Sequence, residues 1–305
     1  MIKYTVESIN SSARHDPDGF VRQSTKNYLN AVEKAAKSVL DNRKKIVMLA
    51  GPSSSGKTTT AGFLSDFLEK SGKQAKIISL DDFYLASLEL YPLNSDGSYN
   101  FESIESLDLP LINSCFRSII EDGEADLPVF DFTNHSRSKQ TKHLKLDKDT
   151  VIIVEGIHGL NPLISFGNDD EYVARLYVSV SSRVYDDEEV LLSKRNMRFI
   201  RRLVRDSFFR ATPALDTFAI WNSVMAGEGK YIFPFRSYAD IKLDSFHPCE
   251  PGLLAGDALK LLDTVKGTQF EETASDFCRI LNCFEVIDRQ SLTPDSLLCE
   301  FLGKP

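Results

Sequence analysis

The chain has 305 residues, of which 42% are hydrophobic and 26% charged, and its 44 acids against 36 Lys and Arg give a formal net charge of −8. That length builds one large domain or two small ones around a full core, and the acidic balance argues against a general nucleic-acid or membrane-surface binder. Five scattered cysteines (Cys115, Cys249, Cys278, Cys283, Cys299) suit reduced thiols rather than a disulfide framework, and Cys278 and Cys283 have no second pair with which to hold zinc.

Met1–Ser12 lacks the apolar core of a signal peptide. No stretch approaches the roughly 18 uninterrupted apolar residues of a membrane span. The expected location is the cytoplasm.

In chain order, Ser24–Leu40 carries Tyr28, Val32, Ala35, Ala36 and Val39 at helical spacing. Lys45–Ala50 is a short apolar run ending at glycine, the pattern of a buried parallel strand. A helix is predicted over Lys57–Lys70 with Gly72 as its stop, then a strand over Ala75–Leu80. Leu107–Glu121 reads as a helix ending at Gly123, and Thr150–Val154 and Ala174–Val180 as two further buried strands. A long charged helix over Asp186–Phe209 and a shorter one over Leu215–Met225 follow. Tyr238–Leu243 is a candidate edge strand, with helices around Leu253–Val265. Strands alternating with helices predict an α/β fold, a parallel sheet covered on both faces. With no internal repeat or low-complexity linker, the predicted layout is a core over residues 45–250, a helical lid around 194–212, and helical extensions over 1–44 and 251–305.

Gly51-Pro-Ser-Ser-Ser-Gly-Lys-Thr58 fits the phosphate-loop pattern G-x-x-x-x-G-K-S/T, placed between an apolar strand and a helix. Glycines allow successive N–H groups to point inward and cradle phosphate oxygens at a helix N-terminus. On that basis Gly51, Ser53, Ser54, Ser55, Gly56, Lys57, Thr58 and Thr59 form the predicted ATP-binding set. Lys57 would reach the β- and γ-phosphates, and the Thr58 hydroxyl would ligate Mg²⁺. Asp81 and Asp82 follow the second strand on the carboxyl edge, where open α/β sheets bind ligands. Glu155 ends the run TVIIVE and could hold Mg²⁺. The bland reading of either acid is a helix cap or turn carboxylate.

Lys194–Arg205 holds six cations in twelve residues, with Arg198, Arg202 and Arg205 on one helical face. Such a face binds phosphate oxygens, or is a solvated basic helix paired with the acids at 186–189, or contacts nucleic acid; the net charge disfavours the last.

In order, GPSSSGKTT, ISLDDFY, YNFES, LPVFDFTNHSR, VIIVEGI and RRLVRD resemble the uridine kinase family, part of the wider group of uridine, phosphoribulo- and pantothenate kinases. The resemblance runs from about Lys45 to Ser245. EGIHGLNP and GEGKYIFPF are closer to the uridine-kinase-like half of certain longer bacterial nucleoside kinases. The resemblance implies the P-loop NTPase fold and a catalytic set of Asp81, Lys57, Arg202 and Arg205. Asp81 matches the acid that takes the proton from an attacking 5′-hydroxyl, and Glu155, with Thr58 and Asp81, the Mg²⁺-linked group. Glu102 stands in the place of a ribose-binding aspartate. His135 matches a base-contacting histidine, Phe130 replaces a tyrosine beside the base, and Tyr84 and Arg202 complete the acceptor side. Thr212 stands where an arginine is expected.

The expected activity is transfer of the γ-phosphate of ATP to the 5′-hydroxyl of a small-molecule nucleoside, uridine or cytidine first. A phosphoribulokinase-type sugar-phosphate kinase and a nucleotide-switched P-loop protein without acceptor are the alternatives. No nucleic-acid or membrane partner is expected; assembly into a homo-oligomer stays open.

Overall fold

The computed structural model describes residues 3–94, 97–131, 134, 136–166 and 170–305. A two-residue strand, β1 (Tyr4–Thr5), leads into helices α1 (Val6–His15) and α2 (Pro17–Asp41). Thr5 and Ser8 cap α1 reciprocally, each side chain accepting the other's backbone N–H. Asp16 starts α2 by accepting the Gly19 N–H at 2.9 Å, with Pro17 in the first turn, where its missing N–H costs nothing. The helix predicted from Ser24 therefore begins about two turns earlier.

Next come β2 (Ile46–Ala50), α3 (Lys57–Lys70), β3 (Gln74–Ser79) and α4 (Leu109–Glu121). An antiparallel arm follows, β4 (Glu124–Asp131) and β5 (Ser136–Lys145), before β6 (Thr150–Glu155) and β7 (Val173–Ser179). A hairpin, β8 (Val184–Asp186) and β9 (Glu189–Leu192), precedes α5 (Lys194–Arg210), α6 (Ala214–Tyr231) and β10 (Ile241–Asp244). The last helices are α7 (Glu250–Asp263), α8 (Glu271–Leu281) and the single turn α9 (Cys299–Leu302).

Five strands form one parallel sheet in the order β10-β7-β2-β6-β3, so the expected parallel α/β architecture is present and β10 is the expected edge strand. Residues alternate between its faces. Val47, Leu49, Val151, Ile153, Leu176 and Val178 share one core with α2, α3, α5, α7 and α9. Met48, Ala50, Ile152, Val154 and Tyr177 share the other with α4 and the β4–β5 arm. The same first core takes in Ile9 and Val21 near the start of the chain and Leu297 and Leu302 near its end.

Two sequence readings change. The helix predicted from Asp186 begins only at Lys194, capped by Ser193 Oγ, which accepts the Asn196 N–H at 3.1 Å. Residues 184–192 form the hairpin instead, turning at Asp187 with φ +49°, a conformation a helix cannot carry. The arm β4–β5 went unread because β5 (SRSKQTKHLK) is almost wholly polar; it pairs along an exposed edge and buries chiefly Leu144.

Candidate active site

β2 is buried along its whole length and lies between β6 and β7, so Gly51–Thr58 leaves the sheet at its topological switch point. Ser54 (φ +57°) and Gly56 (φ +86°) bend the loop through left-handed positions that turn its amides inward. A side chain at Gly51 would meet the Val178 carbonyl oxygen at 2.1 Å, so only glycine fits there. The buried hydroxyls of Ser54 and Ser55 have no partner among the described residues, and Lys57 Nζ rests on Pro52 O at 3.2 Å. Donors gathered at the start of α3 suit a polyphosphate.

The acids converge on this loop. Glu155, last residue of β6, pairs across the sheet with Leu49 on one side and Ser79 on the other. Its Oε1 accepts from Ser79 Oγ at 2.9 Å and from Thr58 Oγ1 at 3.4 Å. Burial first, and then the charge of Asp81, push its carboxyl up to about 7. Asp81 lies in the short turn after β3; burial raises its pKa while Lys57 opposes the shift. Thr58, Glu155 and Asp81 thus offer only hard oxygens, the donor type that suits a small divalent cation shared with phosphate. Asp82 faces elsewhere: its Oδ1 accepts the Phe130 N–H at 3.2 Å.

α5 lies directly on the loop. Arg198 donates from Nε to Ser53 O at 2.9 Å and from Nη2 to Glu228, while Arg202 Nη1 donates to Ser53 Oγ at 2.8 Å. Arg201, fully buried, forks onto Glu250 at 2.6 and 3.0 Å and donates to Ser54 O at 3.3 Å. Asp206 collects Arg202 at 3.1 Å, Arg205 at 2.7 Å and Arg210 at 3.6 Å. Met197–Val204 is therefore packed against the core, while Arg195 in the first turn and Phe208–Arg210 in the last are exposed. Among the described residues no ion pair links the acids at 186–189 to this helix; Glu188 pairs with Lys3. Trp221 is core, packed on Phe199 at 5.4 Å and beneath Arg198 at 5.6 Å.

On the opposite side, Glu102 packs against Gly227 of α6, where a Cβ would lie 2.5 Å from the Glu102 Cβ. Burial, then the charge of Glu228, raise its carboxyl to about 7, with Arg202, Lys57 and Asp81 also within its field. Tyr84 stacks on Tyr91 at 6.0 Å, tilts onto Phe130 at 5.5 Å, and donates its hydroxyl to Phe101 O at 3.1 Å. Arg137, from the NHSR motif, ties Tyr84 O to Asp108, each at 3.0 Å. His135 lies outside the described residues. His158 is buried and burial lowers its pKa to about 4, so its ring is neutral at pH 7.

Residues 46–249 match the model of the phosphoribulokinase/uridine kinase family, two thirds of the sequence. The chain belongs to that family. A protein named uridine kinase from Lactobacillus helveticus is 30% identical over 198 residues, covering 64% of this chain and 84% of that protein. One of the same name from Deinococcus deserti is 26% identical over 209 residues, covering 68% and 91%. Among solved structures, D-glycerate 3-kinase from Cryptococcus neoformans aligns with a TM-score of 0.46 and 19% identity, over 65% of this chain and 87% of that one. Phosphoribulokinase from Rhodobacter spheroides gives 0.44 and 19%, over 66% and 70%. As a member of the family, this chain is an ATP-dependent phosphotransferase.

Four residues that touch the phosphate loop, its arginines or the field of Asp81 carry no mark in the sequence reading. Arg201 was hidden among equivalent arginines, Asp206 among the charges of the same helix. Glu228 accepts the Ser53 N–H at 2.8 Å from the far end of α6, and Arg210 acts on the charge of Asp81. The GEGKY motif could have marked Glu228, since a buried acid between two glycines implies close packing; nothing local marks the others.

Proposed function

We propose that this kinase transfers the γ-phosphate of Mg·ATP to the 5′-hydroxyl of a nucleoside, with uridine and cytidine as first candidates. The reading is carried by Asp81: a carboxylate within the field of Lys57, beside Glu155, and distinct from the structurally committed Asp82. The phosphate loop and Lys57 bind the β- and γ-phosphates; Thr58 and Glu155 hold Mg²⁺, which when bound supplies positive charge to those phosphates. Asp81 accepts the proton of the attacking hydroxyl, and burial keeps it basic enough to do so. Arg202 and Arg205 face charge developing on the transferred group.

The acceptor side supports a neutral substrate. Asp81 and Glu102 put carboxyl groups on it, which favour hydroxyl donors over a second phosphate, while Glu228 is paired with Arg198. That disfavours a sugar phosphate. The test is ATP consumption with uridine, cytidine, inosine, guanosine and a sugar monophosphate in turn. Turnover with the sugar phosphate alone, or acceptor-independent hydrolysis alone, rejects the proposal. Lys57→Ala should abolish transfer while the fold survives.

A further inference from the structure

The family match ends at residue 249, yet the chain beyond it returns to the phosphate loop. Leu297 fills the space in front of Gly56, where a Cβ would sit 2.5 Å from Leu297 Cδ1. Glu300 Oε2 accepts the Thr59 hydroxyl at 2.6 Å. The Phe301 ring lies 4.9 Å from the guanidinium of Arg201, the group that also binds Ser54 O. At the rim, Arg289 covers Phe208 at 5.1 Å, and Gly303 lies against Phe209 on the exposed turn of α5. Leu297, Leu298, Phe301 and Leu302 are buried, so this segment is built into the core and not draped over it.

Its position relative to the reaction follows from the phosphotransfer reading proposed above, on which this inference rests. The γ-phosphate must face Asp81, and Lys57 reaches the β- and γ-phosphates. The α-phosphate and sugar of the donor then leave past the next residues of α3, and there Thr59 carries Glu300. Glu300 Oε1 has no partner among the described residues. A carboxylate oxygen only accepts hydrogen bonds, so beside a polyphosphate it repels the phosphates and suits a hydroxyl of the adjoining sugar.

We propose that the C-terminal segment forms the donor-sugar subsite, with Glu300 accepting a hydrogen bond from a ribose hydroxyl of the donor nucleotide and Thr59 holding the carboxylate in place. Glu300 thereby becomes a specificity-determining residue contributed from outside the family's shared core.

The experiment is calorimetric titration of the full chain with Mg·ATP, Mg·2′-deoxyATP and Mg·3′-deoxyATP, on wild type, Glu300→Ala and Glu300→Gln. A hydrogen bond to a charged group implies that wild type favours ATP over one deoxy analogue by roughly tenfold or more. Glu300→Ala should bind ATP and that analogue alike, and Glu300→Gln should keep part of the preference through its amide oxygen. Thermal melts accompany each variant. If Glu300→Ala unfolds, Glu300→Gln decides, and a ratio lower than wild type upholds the proposal. An ATP-to-deoxyATP ratio equal in wild type and folded variants overturns it while leaving phosphotransfer intact. Wild type that binds no ATP would instead refute the phosphotransfer reading, and this inference with it.

Discussion

Asp82 Oδ1 accepts the backbone N–H of Phe130 at 3.2 Å, which pins the β4–β5 arm to the turn that follows β3. Its neighbour Asp81 makes no such tie among the described residues and instead feels Lys57 and Glu155. The two acids should therefore separate by mutation. Asp81→Asn should lose about 10²–10⁴-fold in kcat with little change in ATP affinity, the usual span of a general base. Asp82→Ala, which removes the acceptor, should lower the melting temperature and spare most of kcat. A reversed pattern in steady-state assays exchanges the roles.

Arg201 and Arg202 are adjacent in sequence and should fail differently. Arg201→Met leaves Glu250 buried and unpaired, a change that costs about 3–5 kcal/mol and is read by urea unfolding. Arg202→Lys keeps a cation near Ser53 but loses the planar fork, and should lose about 10–100-fold in kcat with stability nearly unchanged. Full activity of the lysine variant would reduce Arg202 to a brace of the loop.

Glu102 and Glu155 each have a folded-state pKa raised to about 7 from 4.5. A raised pKa means that the folded protein binds these protons more tightly than the unfolded chain does. Their contribution to stability is fully present below about 4.5 and lost as pH rises through about 7. His158 and His247, held neutral by burial at about 4 and about 3, oppose this only at lower pH. The melting temperature of the protein without ligand should therefore fall between pH 6.5 and pH 8. Glu102→Gln should make that fall shallower; an unaltered slope would show that Glu102 is already ionised at pH 6.5.

Phe130 presents an apolar ring, packed on Tyr84, where the resembled family has a tyrosine. An apolar wall discriminates by only about 10–200-fold, whereas a hydrogen-bonding group reaches roughly 10⁴-fold. Wild type should accept several nucleosides with kcat/KM values within about two orders of magnitude, and Phe130→Tyr should sharpen the preference for one base. Comparing uridine, cytidine, inosine and guanosine measures this, and a strict uridine preference in wild type would refute the argument from Phe130.

What could be read from the chain alone was whatever depends on neighbours in sequence. The phosphate loop, the predicted helix at Lys57–Lys70 and the buried strands around Val47, Ile153 and Leu176 all announce themselves locally, because strand burial and helix starts are written within a few residues. The hairpin at Val184–Leu192 was misread for the same reason: a charged run has no fixed periodicity until its β1 partner, far away in sequence, pairs with it. Only the tertiary structure decided which of several like charges has which surroundings. The resemblance singles out Asp81 and Arg202, but the bare pattern does not say what their neighbours do: Asp82 is tied to the Phe130 amide and Arg201 to the buried Glu250. It also brought Glu300, 241 positions from Thr59, into hydrogen-bond distance of the phosphate-binding helix. No local pattern encodes that contact, because it follows from the terminal helices sharing the core of the central sheet.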